Sequence, residues 1–421
     1  MITLLKHQKR AVDLFQNQSQ ILGHEMGTGK TISAIYIHKQ RMVVIACPPK
    51  QIKNWYNELT VTVGETDVQV IKTGKDKVLG CKWVIVSYNM LAKFLGQFKG
   101  YTGLVGDESH YIKNRTDRTK AFLTLAKEME VVTLLTGTPI TKEPIEIWNQ
   151  LVAVKATITK AMTKTKFGKA YCGARLERNY WNGKWTIKYH TPTGEKLELL
   201  KSVIADAVDI VKKKEVLDLP PKIVQEIQVE LDDYERLKYK SVWNDYMETV
   251  KNNPEISIDD IKNIRSAKGI IQLGKFRQIT SIAKARYIIE TIEEIGEQQA
   301  VIFCEFIETI DYINAELKKL GIKYSTLKDP NGVEKFQTKQ AQIFTANIIA
   351  GGEGLNLQNA SLIFIVDEHY TPAKNMQAED RIHRKGQTET CNIYYLRVPG
   401  TVDDKIKKVN ETRKDTINQI I

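Results

Sequence analysis

Cysteine is scarce, with five residues (Cys47, Cys81, Cys172, Cys304 and Cys391) scattered over 421 positions. The number is odd and no two form a C-x-x-C pair, which argues against a disulfide framework and against a zinc site. A reducing compartment follows as the expectation, cytoplasmic or nucleoid-associated. No apolar run approaches the roughly 20 residues needed to span a bilayer. The opening residues, Met-Ile-Thr-Leu-Leu-Lys-His-Gln, turn polar too soon for a secretion signal. There is no internal repeat and no low-complexity tail, so neither a solenoid nor a disordered scaffold is indicated.

What is abundant is positive charge. The formal net charge is +12, which suits a polyanionic partner without identifying one. The aromatic residues form no stripe on which successive bases could stack, which favours a duplex over a single strand. A chain of 421 residues exceeds one ordinary core, so two domains are expected.

Two blocks of apolar, β-branched runs alternate with helical stretches. The first holds residues 42–47, 83–88, 103–107 and 131–135; the second holds 300–306, 323–327, 342–349, 362–367 and 391–398. Short, near-continuous apolar strands separated by helices predict parallel sheets covered on both faces. The expected fold is α/β, with two RecA-like parallel-sheet domains carrying helical insertions and a nucleotide in the cleft between them. Pro220-Pro221 marks the boundary. The first domain is expected over 1–222 with a mostly helical insertion at 141–222, and the second over 223–421 with an insertion at 231–298. Residues 179–189 read as an aromatic hairpin turning at Asn182-Gly183.

Residues 24–31, His-Glu-Met-Gly-Thr-Gly-Lys-Thr, follow the apolar pair Ile21-Leu22 and precede a helical run. Strand, glycine loop, Lys-Thr and helix is the layout of a phosphate-binding loop. Gly27 and Gly29 permit positive φ and close backbone approach. With Glu25, Met26 and Thr28 they form the cradle; Lys30 would reach the β and γ phosphates, and the Thr31 hydroxyl would ligate Mg²⁺. His24 stands where the usual pattern has glycine. The tetrad Asp107-Glu108-Ser109-His110 ends an apolar strand, so Asp107 is a candidate Mg²⁺ ligand and Glu108 a candidate base for the attacking water. Thr136-Gly137-Thr138-Pro139 follows the next strand and could relay the state of the γ-phosphate.

In the second block a glycine cluster, Gly351, Gly352 and Gly354, follows a strand. Gln377, Arg381 and Arg384 then lie four and three apart, predicting one helical face. Arginine suits a transferring phosphoryl group because its planar fork stays charged and binds oxygen pairs. With the base in one block and the arginines in the other, hydrolysis is expected to need closure of the cleft, the layout of a motor. Loops at the same sheet edges supply candidate strand contacts: Pro48, Lys50, Asn54, Trp55, Ser87, Tyr88, Lys113, Asn114, Thr138, Gly351 and Gly352. Hydroxyls, backbone N–H groups and lysines match phosphate binding that ignores base sequence.

Taken in order, these motifs resemble the Swi/Snf-type ATPases of helicase superfamily two over nearly the whole chain. Leu5-Lys6-His7-Gln8 is similar to the glutamine motif that recognises adenine, and the loop at 24–31 is similar to the family's D-E-M-G-L-G-K-T, which also lacks the first glycine. Residues 167–175 and 213–222 further resemble the annealing-helicase branch, which remodels forks and rewinds DNA. Two departures stand out: Ser109 in a motif usually written D-E-A-H, and Ile210-Val211 where the family often carries paired arginines. No chromatin-reading or zinc module accompanies the motifs, as in a nearly bare motor of a bacterium or its virus. The resemblance implies ATP and Mg²⁺ as cofactors, double-stranded or branched DNA as partner, and possible replication or recombination proteins beside it. It implies translocation along duplex DNA. A strand-separating helicase on RNA or single-stranded DNA, and a non-catalytic nucleic-acid scaffold, are the rival readings.

Overall fold

The computed structural model describes residues 3–178, 185–252, 267–351 and 355–421. The chain forms two units, one of residues 1–179, 184–218 and 416–421, the other of residues 180–183 and 219–415.

The first unit carries strands β1 (Gln20–His24), β2 (Val43–Cys47), β3 (Val68–Val70), β4 (Trp83–Ser87), β5 (Gly103–Gly106) and β6 (Val131–Leu135). A two-stranded antiparallel hairpin, β7 (Ala174–Arg178) with β8 (Trp185–Tyr189), precedes β9 (Val208–Val211). Seven of these strands make one parallel sheet in the order β3-β4-β2-β5-β6-β1-β9. All residues of β1, β2, β4, β5 and β6 are buried, which is why β2, β4 and β6 read as near-continuous apolar runs rather than as alternating ones. Two apolar clusters cover the two faces. One is built on Leu22, Ile35, Ile45, Trp55 and Ile85, the other on Val44, Val86, Phe122, Leu134 and Leu151.

The second unit holds β10 (Lys222–Gln228), β11 (Ala300–Cys304), β12 (Tyr324–Thr326), β13 (Ile343–Asn347), β14 (Leu362–Ile365) and β15 (Cys391–Arg397). They form a second parallel sheet in the order β10-β15-β14-β11-β13-β12. Helices Asp233–Asn252 and Ala267–Thr291 lie between β10 and β11 in the chain. The α/β class expected from the strand rhythm is the one observed, with two separate parallel sheets.

Three strands escape the sequence reading. β3 is only three residues long, and β10 is an edge strand whose mostly exposed residues pair with β15 alone. β9 lies inside a stretch read as a helical insertion, yet Val208–Val211 pairs in parallel with Ile21–His24. Of the hairpin read over 179–189, the strand Trp185–Tyr189 is present and pairs with Ala174–Arg178, which precedes that range; Asn182-Gly183 lies outside the described residues. Among the described residues no helix is long and apolar enough to cross a membrane.

Candidate nucleotide site

At the carboxyl edge of β1 the chain enters a turn in which Gly27 and Gly29 both have φ of 81°, the left-handed region that glycine occupies without cost. Helix Lys30–Ile37 starts directly after, with Gly29 as its N-cap residue. A side chain at Gly29 is disfavoured by its φ, and it would also have to displace the Gln8 amide, whose Nε2 would lie 2.2 Å from an added Cβ. Gln8 donates through Nε2 to the carbonyls of Thr28 and Gly29, at 3.3 Å each, and accepts from the Leu5 N–H at 2.8 Å. His7 Nε2 bonds the Thr28 carbonyl at 2.8 Å. The first helix, Lys6–Phe15, is thereby tied to the loop through its first turn.

Lys30 donates to the carbonyls of His24 and Glu25, at 2.6 and 3.1 Å. An ammonium held by loop carbonyls sits where phosphate oxygens, which are stronger acceptors, can take it over. His24 is wholly buried, and its Nε2 bonds Asp209 Oδ2 at 2.7 Å. Burial lowers the His24 pKa, and the Asp209 carboxylate pulls the other way. Arg10 pairs with the same carboxylate. Glu25 Oε2 accepts from the Lys213 N–H at 2.7 Å. The strand that carries Ile210-Val211 therefore stitches the loop down from its far side through Asp209. This is a structural use of His24, one of the positions that depart from the usual pattern.

Two strands away, β5 ends at Gly106 and delivers Asp107 and Glu108. Asp107 Oδ2 accepts from Trp55 Nε1 at 2.8 Å, and Oδ1 from the Glu108 N–H at 2.9 Å. Burial and the adjacent Glu108 charge push Asp107 up to about 6, against the lowering effects of the indole bond and of Lys30. Glu108 has φ 48° and ψ 55°, one of three non-glycine residues with positive φ among the described residues. Such a conformation is strained and is typically retained at functional sites. Its carboxylate is 3.2 Å from His110 Nδ1.

The loop after β6 lies against the phosphate-binding loop: an added Cβ on Gly137 would sit 3.4 Å from Met26 Cγ and 3.7 Å from the His24 carbonyl. Thr138 N–H donates to Thr136 Oγ1 at 3.0 Å, while the buried Thr138 hydroxyl has no hydrogen-bond partner among the described residues.

In the second unit, helix Pro372–Glu379 ends before Arg381. The expected single helical face for Gln377, Arg381 and Arg384 is corrected accordingly, since residues 380–386 run as turns. The two arginines still converge: Arg381 Nη1 and Arg384 Nη1 donate to the same Leu355 carbonyl, at 3.2 and 3.1 Å. Arg381 Nε also reaches back to the Gln377 carbonyl at 2.9 Å.

The candidate strand contacts divide. Lys50, Asn54 and Asn114 are exposed. Lys113 is engaged by Glu146 at 3.1 Å. Pro48, Ser87 and Gly351 are buried, and a Cβ on Gly351 would meet the Phe303 ring at 2.6 Å. Trp55 and Tyr88 are corrections: both are interior side chains that serve Asp107, the indole through the carboxylate and the Tyr88 hydroxyl through the Asp107 carbonyl at 2.8 Å. Aromatic bulk drew them into the core, and the bonds to Asp107 satisfy their polar atoms. Gly352 and Gly354 lie outside the described residues. Gln150 and Asn149, which hold the loops after β5 and β6, had no signal in the sequence beyond being polar positions on an apolar helix.

A buried carboxylate with two fixed donors, held near the phosphate loop and raised in pKa, suits a hard divalent cation, whose charge would restore its ionised form. Asp107 and the Thr31 hydroxyl are the donors that would hold it. Among the described residues no cluster of three His, Cys, Asp or Glu side chains offers an all-protein metal cage.

The sequence profile of the SNF2-related domain matches residues 7–280, and that of the helicase conserved C-terminal domain matches residues 283–386. The chain belongs to the SNF2-related family. Family members similar to it include the SWI/SNF-related matrix-associated actin-dependent regulator of chromatin subfamily A-like protein 1 of Xenopus tropicalis, 28% identical over 410 residues, which is 91% of this chain and 41% of that protein. The DNA annealing helicase and endonuclease ZRANB3 of Homo sapiens is 28% identical over 431 residues, 95% of this chain and 39% of its own length. An uncharacterized ATP-dependent helicase of Mycoplasma pneumoniae is 25% identical over 434 residues, 95% of this chain and 40% of its own. This SNF2-related chain thus spans about two fifths of the length of the curated relatives it matches.

Proposed function

We propose that this SNF2-related chain is a DNA-stimulated ATP hydrolase that moves along double-stranded DNA. The observation that carries the reading is the glycine loop at β1 with the Asp107-Glu108 pair at the same sheet edge, within one helicase-like family. Lys30 leaves the loop carbonyls for the β and γ phosphates, and Gln8, Glu25, Met26, Gly27, Thr28, Gly29 and Thr31 surround the nucleotide. Mg²⁺ held by Thr31 and Asp107 would neutralise charge on the phosphates. Glu108 orients and deprotonates the attacking water. Arg381 and Arg384, with a bidentate, permanently charged guanidinium each, stabilise charge that develops on the γ-phosphate.

Lys50, Asn54, Lys113, Asn114 and Thr138 are the proposed backbone contacts, reading charge and not sequence. Some of the relatives are named DNA annealing helicases, which supports branched DNA and strand annealing or fork remodelling during replication, recombination or repair as the setting of the activity. The test is steady-state ATP hydrolysis with linear duplex, forked duplex, single-stranded DNA and RNA. Turnover raised most by duplex or fork is the expected result, and the greatest stimulation by RNA would overturn the reading.

A further inference from the structure

Two loops flank the phosphates, the one after β5 with Asp107 and Glu108, and the one after β6 with Thr136–Pro139. Neither makes a backbone bond to the other in this region. Two side-chain links join them: Lys113 Nζ on the first loop donates to Thr141 Oγ1 just past the second, and Gln150 bonds both. Ser109 Oγ donates to Gln150 Oε1 at 2.6 Å, and Gln150 Nε2 donates to the Pro139 carbonyl at 2.7 Å. Ser109 and Gln150 are both fully buried. Gln150 sits on helix Trp148–Ala153, and its neighbour Asn149 fixes the same first loop further along, donating to the carbonyls of Ile112 and Lys113 at 2.8 and 3.1 Å.

A planar carboxamide cannot bend one end away from the other. Displacing either loop alone leaves a buried donor or acceptor unsatisfied, which costs on the order of 1–3 kcal/mol. The loops are therefore constrained to shift together. At one end of this chain of contacts stands Glu108, in a strained left-handed conformation one residue before Ser109. At the other end stands Thr138, one residue before Pro139, with a buried hydroxyl that lacks a partner among the described residues.

We propose that Gln150 is a positioning residue that couples occupancy of the Thr136–Pro139 loop to the placement of Glu108, so that DNA contact on one loop sets turnover on the other. The inference rests on the function proposed above and names the route by which DNA stimulates hydrolysis. It also accounts for Ser109: the hydroxyl at that position is the near end of the relay.

The experiment compares the full chain with Gln150→Leu, Ser109→Ala and the double variant, each first checked for native circular dichroism. Ser109→Ala removes one hydroxyl and keeps the assay meaningful if Gln150→Leu does not fold. ATP hydrolysis is measured with and without duplex DNA. Expected are near-normal DNA-free turnover, a loss of about tenfold in DNA-stimulated kcat with little change in KM for ATP, and a double variant no worse than Gln150→Leu. Equal losses with and without DNA, no loss, or additive losses would overturn the relay. A second readout separates this inference from the function it rests on. Hydrogen exchange at residues 136–138 with saturating Mg–ATPγS should slow in the unaltered chain and fail to slow in Ser109→Ala. Slowing that persists in the variant overturns the relay even if DNA proves to be no activator, and loss of slowing in a chain that ignores DNA overturns only the motor.

Discussion

At the scale of single residues, the division of labour between Asp107 and Glu108 has measurable consequences. Glu108→Gln should bind ATP as tightly as the unaltered chain and lose turnover by a factor on the order of 10²–10⁴, the usual contribution of a positioned base. Equilibrium binding of a fluorescent ATP analogue beside hydrolysis rates checks both halves. Asp107 makes the stronger pH statement. Its ionised form is the one that holds a cation, and burial has lifted it to about 6. The Trp55 indole bonds the carboxylate and favours ionisation, so Trp55→Phe should lift that value further. The acid limb of kcat/KM against pH, at saturating DNA, should then move to higher pH, with the rate at pH 8 much less affected. An unmoved limb would remove Trp55 from its role. Nothing in Lys53-Asn54-Trp55-Tyr56 distinguishes a tryptophan offered to solvent from one turned inward onto a carboxylate. Burial is a property of the folded neighbourhood, and this is why the sequence reading placed Trp55 and Tyr88 on the wrong side of the surface.

At the scale of elements, the legible part of the fold was the part in which burial on both faces leaves a local signature. Val43–Cys47 and Val131–Leu135 are legible as strands because every position in them is buried and nearly every one is apolar. Val208–Val211 was hidden because its four residues include Asp209, whose charge answers His24 and Arg10, and because lysines follow it at once. Its strand character comes from pairing with a segment some 185 positions earlier, which no local window contains. The arginine pair shows the opposite failure: the spacing was read as one helical face, whereas the helix stops at Glu379 and turns bring both guanidinium groups to Leu355. Gly29 yields the prediction at this scale. Gly29→Ala should abolish nucleotide binding, since the residue is held at positive φ against Gln8. Gly64→Ala, also at φ 81° but facing open space, should cost only about 1–2 kcal/mol of stability and leave binding intact. Thermal midpoints with and without Mg–ATP measure both.

At the scale of the whole molecule, the proposed activity needs groups from each unit. Arg384→Lys keeps the charge and removes the planar fork; it should preserve ATP binding and lower DNA-stimulated turnover by roughly 10²-fold or more, by analogy with the 10³–10⁵ attributed to such arginines. Single-turnover hydrolysis at saturating ATP tests it. A net charge of +12 and backbone-directed contacts predict that apparent DNA affinity falls steeply between 50 and 200 mM salt, whereas ATP affinity measured without DNA changes little. A flat salt response would speak against phosphate contacts as the main source of affinity.

The first unit does not use only the early part of the polypeptide. Ile417, Ile420 and Ile421 pack into the same apolar cluster as Phe122, Leu134 and Leu151. Because a ribosome makes the chain from its amino end, that cluster stays short of three isoleucines until everything through residue 415 has been synthesised. Domains usually mature in the order they are made. Here the earlier one is completed only by the later, and a nascent chain stalled in the second half leaves the apolar neighbours of Ile417, Ile420 and Ile421 uncovered.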